Sequence, residues 1–127
     1  MKNTRFYVCE RCGNIVGMIH SSGVTPVCCG QKMTALEPGT VEASVEKHLP
    51  VVTVENGTVT AVIGAVNHPM TKEHSITWVY LETDKGGQRK ALAPDSEPVV
   101  KFALTSDEKP IAVYAYCNLH GLWKTEI

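Results

Sequence analysis

Four of the chain's five cysteines, Cys9, Cys12, Cys28 and Cys29, fall within the first 29 of its 127 residues. The two-residue spacing of Cys9 and Cys12 lets a tight turn aim both thiolates at one ion, and the adjacent Cys28 and Cys29 complete a set of four. Closely spaced cysteines in a short segment read as metal ligands more readily than as a disulfide framework, and an odd total cannot all pair. Free thiols or two disulfides are the competing readings. A tetrahedral sulfur site selects zinc or a single iron, and the adjacent pair must spread around the metal, so a distorted tetrahedron is expected. Cys12-Gly13-Asn14 and Cys29-Gly30-Gln31 are turn signals. Residues 1–37 offer only Phe6, Val8, Ile15, Val16, Met18, Ile19 and Met33 as core, too little to hold a domain without a metal or a second subunit.

The pattern changes after Glu37-Pro38-Gly39-Thr40, where Pro-Gly marks a boundary between residues 1–37 and 38–127. Beyond it, runs rich in β-branched and aromatic residues recur at 51–54, 58–63, 76–81, 99–104 and 111–116, with shorter strands possible at 41–45, 89–91 and 122–125. Asn56-Gly57 between two such runs predicts a type I′ hairpin. Six to eight short strands, with turn residues between them and no helical period, define an all-β chain whose larger part is an immunoglobulin-like antiparallel sandwich.

Charge and hydropathy exclude other classes. Twelve Lys+Arg against 13 Asp+Glu give a net charge of −1, which argues against a nucleic-acid partner and makes any electrostatic function local. The residues from Met1 to Tyr7 lack the apolar run of a signal peptide. The longest apolar stretch, near Val59 to Val66, is too short to span a bilayer. A cytoplasmic protein with no membrane partner is therefore expected.

Four of the five histidines, His48, His68, His74 and His120, share the second segment with its single cysteine, Cys117. Four imidazoles and a thiolate suit iron, copper, zinc or nickel. His68 and His74 bracket one loop, and Cys117-Asn118-Leu119-His120 is a turn that can present two ligands together. All five are expected at strand ends or in loops. Glu46-Lys47 precedes His48: a solvated strand end on the plain reading, or, on the functional one, a cation supplying positive potential at the metal and a carboxylate able to approach it. Trp123 could cover the site or belong to the core, and His20, in a Ser- and Gly-rich turn, reads as surface.

Taken together, Cys9-x2-Cys12-x15-Cys28-Cys29, Glu46-Lys47-His48, His68, His74 and Cys117-Asn118-Leu119-His120-Gly121-Leu122-Trp123 closely resemble desulfoferrodoxin, the two-iron form of superoxide reductase. The resemblance runs over nearly the whole chain, with both ligand sets in order. It implies a desulforedoxin-like, rubredoxin-type domain over 1–37 with one iron on Cys9, Cys12, Cys28 and Cys29. It further implies a sandwich domain over 38–127 with a second iron held equatorially by His48, His68, His74 and His120 and axially by Cys117. The implied enzyme is a homodimer that reduces superoxide to hydrogen peroxide with an electron from rubredoxin or a similar donor. Glu46 would be the carboxylate that fills the vacant position of the ferric state and aids product release.

Two other readings stand beside that one: a pure electron-transfer protein in which both irons shuttle electrons and the second is saturated and six-coordinate, and a structural zinc protein with an immunoglobulin-like interaction domain. Metal analysis separates the last from the others. Two irons per chain and a coloured protein are expected, whereas a colourless zinc protein would remove both redox readings.

Overall fold

The alternating runs pair as antiparallel hairpins throughout residues 5–40 and 43–127, the part of the chain that the computed structural model describes. The chain divides into two units, Met1–Glu37 and Pro38–Ile127. In the first, β1 (Phe6–Val8) lies between β2 (Ile15–Gly17) and β5 (Thr34–Ala35), and β3 (Val27–Cys28) forms a separate hairpin with β4 (Gln31–Lys32). Both hairpin turns carry cysteines. Cys29 and Gly30 turn the second with φ of 53° and 75°, the paired left-handed geometry of a type I′ turn. In the first, Gly13 N–H closes onto the Cys9 carbonyl at 2.9 Å.

This unit's apolar interior is smaller than the sequence suggests. Phe6, Met33 and the Cys9 side chain are buried, but Ile19 is fully exposed and Val16 borders on exposure. The correction has a simple cause: a sheet of strands two or three residues long has room for few side chains on its covered face. Without a cross-link, so small a core does not offset the entropy of ordering the unit.

The second unit is a two-sheet sandwich. β6 (Pro50–Glu55), β7 (Thr58–Ile63) and β10 (Val99–Ala103) form one sheet in the order β10-β7-β6. β8 (Ile76–Thr83), β9 (Gly86–Ala91), β11 (Pro110–Cys117) and β12 (Gly121–Glu126) form the other in the order β12-β11-β8-β9. The Asn56-Gly57 hairpin forms as expected, with φ of 51° and 74° and Glu55 opposite Thr58. Along β7 the inward Val59, Ala61 and Ile63 are fully buried, and they pack with Val79, Leu81, Val100, Phe102, Val113, Ala115 and Cys117. Burial of each larger aliphatic or aromatic side chain contributes roughly 1.5–3 kcal/mol. The metal-ligand candidate Cys117 is thus a member of the core itself.

One expected strand does not form among the described residues. Residues 41 and 42 of the 41–45 run lie outside the described residues, and Val45 opens a helical turn, α1 (Val45–His48), closed by Leu49 N–H on the Val45 carbonyl at 2.9 Å. Four residues are too few to register as a helical period, and Pro50 ends the turn and starts β6. His48 therefore sits on a helical turn, neither in a loop nor at a strand end.

The registers gather the candidate ligands at one end of the sandwich. α1 leads into the start of β6, which pairs with the end of β7 (Pro50 opposite Ile63), while the end of β11 pairs with the start of β8 (Cys117 opposite Ile76). The β7–β8 loop brings His68 and His74 to that end, and the three-residue β11–β12 turn, closed by the Cys117–Gly121 pair, brings His120. Gly64 seats α1 against the loop: a Cβ there would lie 2.7 Å from the Glu46 carbonyl oxygen and 2.9 Å from Lys47 C. Both neighbours are backbone and cannot swing aside. Gly64→Ala is therefore expected to cost about 1–3 kcal/mol and to lower the metal content of the histidine cluster before that of the cysteine cluster, as read by thermal unfolding and metal analysis.

Candidate metal centres

In the first unit, the ligand atoms of Cys9, Cys12, Cys28 and Cys29 all lie within 4.8 Å of one another. Cys12 Sγ and Cys28 Sγ are 3.6 Å apart, and Cys28 Sγ and Cys29 Sγ are 4.0 Å apart. Metal–sulfur bonds of about 2.3 Å in a regular tetrahedron put sulfurs about 3.8 Å apart, so these separations bracket the edge of a tetrahedral site. Backbone N–H groups point inward: Cys12 N–H donates to Cys9 Sγ and Asn14 N–H to Cys12 Sγ, each at 3.5 Å. The Cys12 N–H is the main reason the Cys9 thiol is lowered to about 6. The neighbouring sulfurs, Cys12 foremost, raise Cys28 and push Cys29 up to about 12. Four thiolates so close repel one another, and a bound cation removes that conflict.

The second cluster is built from three chain segments. His48, His74, Cys117 and His120 place one ligand atom each within 4.8 Å of all the others. His68 joins them through Nε2, 3.1 Å from His48 Nε2, and His48 Nε2 is also 3.1 Å from His120 Nδ1. The opposite nitrogens are committed elsewhere: His48 Nδ1 donates to the Ser44 carbonyl at 2.6 Å and His68 Nδ1 to the Pro69 carbonyl at 2.7 Å. These bonds fix both tautomers, leaving two bare Nε2 lone pairs facing each other. Burial, aided by the adjacent rings, pushes His68 down to about 4 and lowers His48 and His74. Protonation is thereby disfavoured as a way to relieve the lone-pair conflict.

His74 Nε2 is buried and has no hydrogen-bond partner. A buried polar atom left unpaired is costly, and coordination to a cation within the cluster accounts for it. The donor set fits a transition metal that accepts imidazole and thiolate together. Cys117 Sγ, fully buried, lies 3.9 Å from His120 Nδ1 and accepts the His120 N–H at 3.4 Å. Burial raises the Cys117 thiol, and the Leu119 and His120 N–H groups oppose that shift.

Trp123 both belongs to the interior and covers the site. Its ring stacks on His48 at 5.0 Å, and its Nε1–H donates to the His120 carbonyl at 3.0 Å. Lys47 and Glu46 are exposed on α1. The Lys47 ammonium is close enough to contribute to lowering both His48 and His74. Among the described residues, no hydrogen bond joins the Glu46 carboxylate to the cluster. His20 is exposed and belongs to neither cluster.

Sequence reasoning missed three groups of supporting atoms. The Ser44 and Pro69 carbonyls carry no side-chain signal. Thr71 accepts the His74 N–H at 3.0 Å, a local turn that a Thr three residues before a His could have suggested. Asn118 accepts the Ser75 N–H and donates to the Glu73 carbonyl, and its place between Cys117 and His120 was the available clue.

Comparison with known proteins agrees with this geometry. The desulfoferrodoxin family model matches residues 40–126, and the model of the desulfoferrodoxin N-terminal domain matches residues 2–36. Desulfoferrodoxin of Syntrophotalea carbinolica is 42% identical over 94% of this chain and 94% of its own. The crystal structure of the superoxide reductase from Treponema pallidum superposes with a TM-score of 0.83 at 41% identity, covering 98% of this chain and 100% of that one. A superoxide reductase described as a one-iron form, from Giardia intestinalis, aligns with a TM-score of 0.55 at 32% identity, over 65% of this chain and 97% of its own. The chain belongs to the desulfoferrodoxin family, and its two clusters fit that family's two iron centres. Among the described residues, no helix is long and apolar enough to cross a membrane.

Because burial in the fold lowers His48, His68 and His74, the unfolded chain binds more protons than the native one below the ordinary histidine value of 6.5. Iron-free protein is therefore expected to hold a constant contribution from these groups above pH 6.5 and to lose it progressively as the pH falls toward 4. The thermal unfolding midpoint against pH checks this; a midpoint flat across that window would contradict the buried neutral tautomers.

Proposed function

We propose that the chain is a superoxide reductase, with the site residues and partners assigned as follows. The observation that carries this reading is the ring of four inward-facing imidazole nitrogens around a buried thiol, with a lysine at its rim. The residues that would hold the catalytic iron are His48, His68, His74, His120 and Cys117; those for the second iron are Cys9, Cys12, Cys28 and Cys29. Bound there, a ferrous ion would supply the single electron that superoxide requires, and the five protein donors suit such an ion.

The balance is O2•− + e− + 2H+ → H2O2, with the electron restored by rubredoxin or a similar donor. Lys47 Nζ attracts the anion and offsets the charge that grows as the electron arrives, which a local cation can do on a chain with no net positive field. Cys117 Sγ, held by backbone N–H groups, is the strong donor of the set, as thiolates are in oxygen chemistry. Glu46, in the same turn as Lys47, is the carboxylate that would approach the site and aid release of product. The His48 and His68 carbonyl bonds orient the rings before metal binds. Support for the substrate comes from the relatives and solved structures named as superoxide reductases. The same reading places the protein in the cytoplasm as a homodimer, with residues 1–37 as an electron-relay or structural module and residues 38–127 as the reactive domain.

Superoxide delivered to the ferrous protein is expected to yield one equivalent of hydrogen peroxide and no dioxygen. Dismutation products would defeat the reading. Cys117→Ser should abolish the thiolate-to-iron absorption and turnover. In Lys47→Ala the second-order rate should fall about tenfold or more, with its salt dependence flattened and iron retained; a rate indifferent to both would remove Lys47 from this role. Failure to bind cyanide or azide at the histidine-cluster iron would favour the electron-transfer alternative.

A further inference from the structure

Among the four imidazoles, two are fixed by a ring-to-carbonyl bond and two, His120 and His74, through their backbone. His48 and His68 are each fixed by a ring nitrogen on a backbone carbonyl, and His120 is fixed by its own backbone, through Cys117 Sγ on one side and Trp123 on the other. His74 has no such ring bond among the described residues; its half-buried ring is presented by its backbone, which Thr71 holds within the same loop, Oγ1 accepting the His74 N–H at 3.0 Å and donating to the His74 carbonyl at 3.2 Å, and the Thr71 N–H donating to that carbonyl at 2.9 Å. The loop that carries it is pinned at its start by His68 N–H on the Ile63 carbonyl at 2.8 Å and at its middle by Asp95 N–H on the Met70 carbonyl at 2.7 Å. At its far end a single side chain, Asn118, grips both neighbours of His74. Asn118 Oδ1 accepts the Ser75 N–H at 3.0 Å and Nδ2 donates to the Glu73 carbonyl at 2.9 Å, while Asn118 N–H donates to the Ser75 carbonyl at 3.2 Å.

Asn118 is also the residue directly after Cys117. One carboxamide thus ties the segment bearing the thiolate to the two peptide groups that flank His74, whose backbone is otherwise held by Thr71 of its own loop and whose ring has no hydrogen bond of its own. Resting on the ligand set proposed above, we infer that Asn118 is a positioning residue that fixes His74 relative to Cys117, so that it sets the geometry and retention of the iron without touching it. The carboxamide suits this task because it offers a donor and an acceptor in one plane. A carboxylate keeps the acceptor for Ser75 but turns a lone pair toward the Glu73 carbonyl; alanine keeps neither.

The test uses the full chain loaded with both irons, and compares Asn118→Ala and Asn118→Asp with the parent. Iron loss to a chelator is followed at both sites, with the four-cysteine iron as internal reference, and the ferric spectrum of the histidine site is recorded by absorption and electron paramagnetic resonance. Supporting partners of metal ligands typically contribute 10–100-fold in affinity. Loss from the histidine site should accordingly be roughly tenfold or more faster in Asn118→Ala and intermediate in Asn118→Asp, with a shifted thiolate-to-iron band in both and an unchanged four-cysteine iron. A lower melting temperature with the ferric spectrum and iron retention of the parent would mark Asn118 as an ordinary loop clamp and overturn the inference. Should Asn118→Ala fail to fold, Asn118→Asp, which changes one terminal group, decides alone by the same measurements. None of these readouts uses superoxide, so a parent protein that holds iron but does not reduce superoxide would defeat the proposed activity and leave the role of Asn118 standing.

Discussion

Two imidazole nitrogens 3.1 Å apart, each stripped of its proton by a carbonyl bond on the far side of its ring, form an arrangement that protein atoms alone do not stabilise. Hydrogen bonding would need one nitrogen to donate, and burial opposes the extra proton that would allow it. A cation between the nitrogens turns repulsion into coordination. The rest of the second unit can be understood from that requirement. α1 interrupts the β pattern to swing His48 inward, the β7–β8 connection is long enough to deliver two histidines, and the β11–β12 turn is short enough to hold His120 beside Cys117. A rigid sandwich supplies the fixed strand ends from which these short segments project, which is how a low-coordination-error site is built from local pieces.

The two units meet the problem of stability in opposite ways. The sandwich has a continuous apolar interior and needs no metal to explain its packing. The first unit has three well-buried side chains among its described residues, and both of its hairpin turns carry cysteines of the metal cluster. One chain thus contains a metal site that a fold supports and a fold that a metal site supports.

Much of this was legible in the sequence, and the legible parts have short-range causes. The strand runs follow from alternating β-branched residues, the hairpin from Asn56-Gly57, the boundary from Pro38-Gly39, and the four-cysteine cluster from spacing along the chain. Less visible were features that depend on what lies opposite. A four-residue helical turn leaves no periodicity, so Val45, which opens it, looked like the end of another strand. Val16 and Ile19 looked like core because apolar character is a property of a residue, whereas burial is a property of the surface available to cover it. The carbonyls of Ser44 and Pro69 have no signature because every residue has a carbonyl, and the grip of Asn118 on both sides of His74 exists only once β8 and β11 are in register.

The position of Cys117 at the end of β11, counted within the hydrophobic core and fully shielded from solvent, has a chemical corollary. Sulfur is most readily converted to sulfenic and then sulfinic acid where its thiolate is both charged and accessible. Here Sγ accepts the His120 N–H, and Cys117 shares its core cluster with Ile76 and Ala115. Cys12 and Cys29, by contrast, stand exposed in the first unit. Access thus separates two classes of sulfur on one chain, and a dissolved oxidant is expected to modify Cys12 and Cys29 of the metal-free protein well before Cys117.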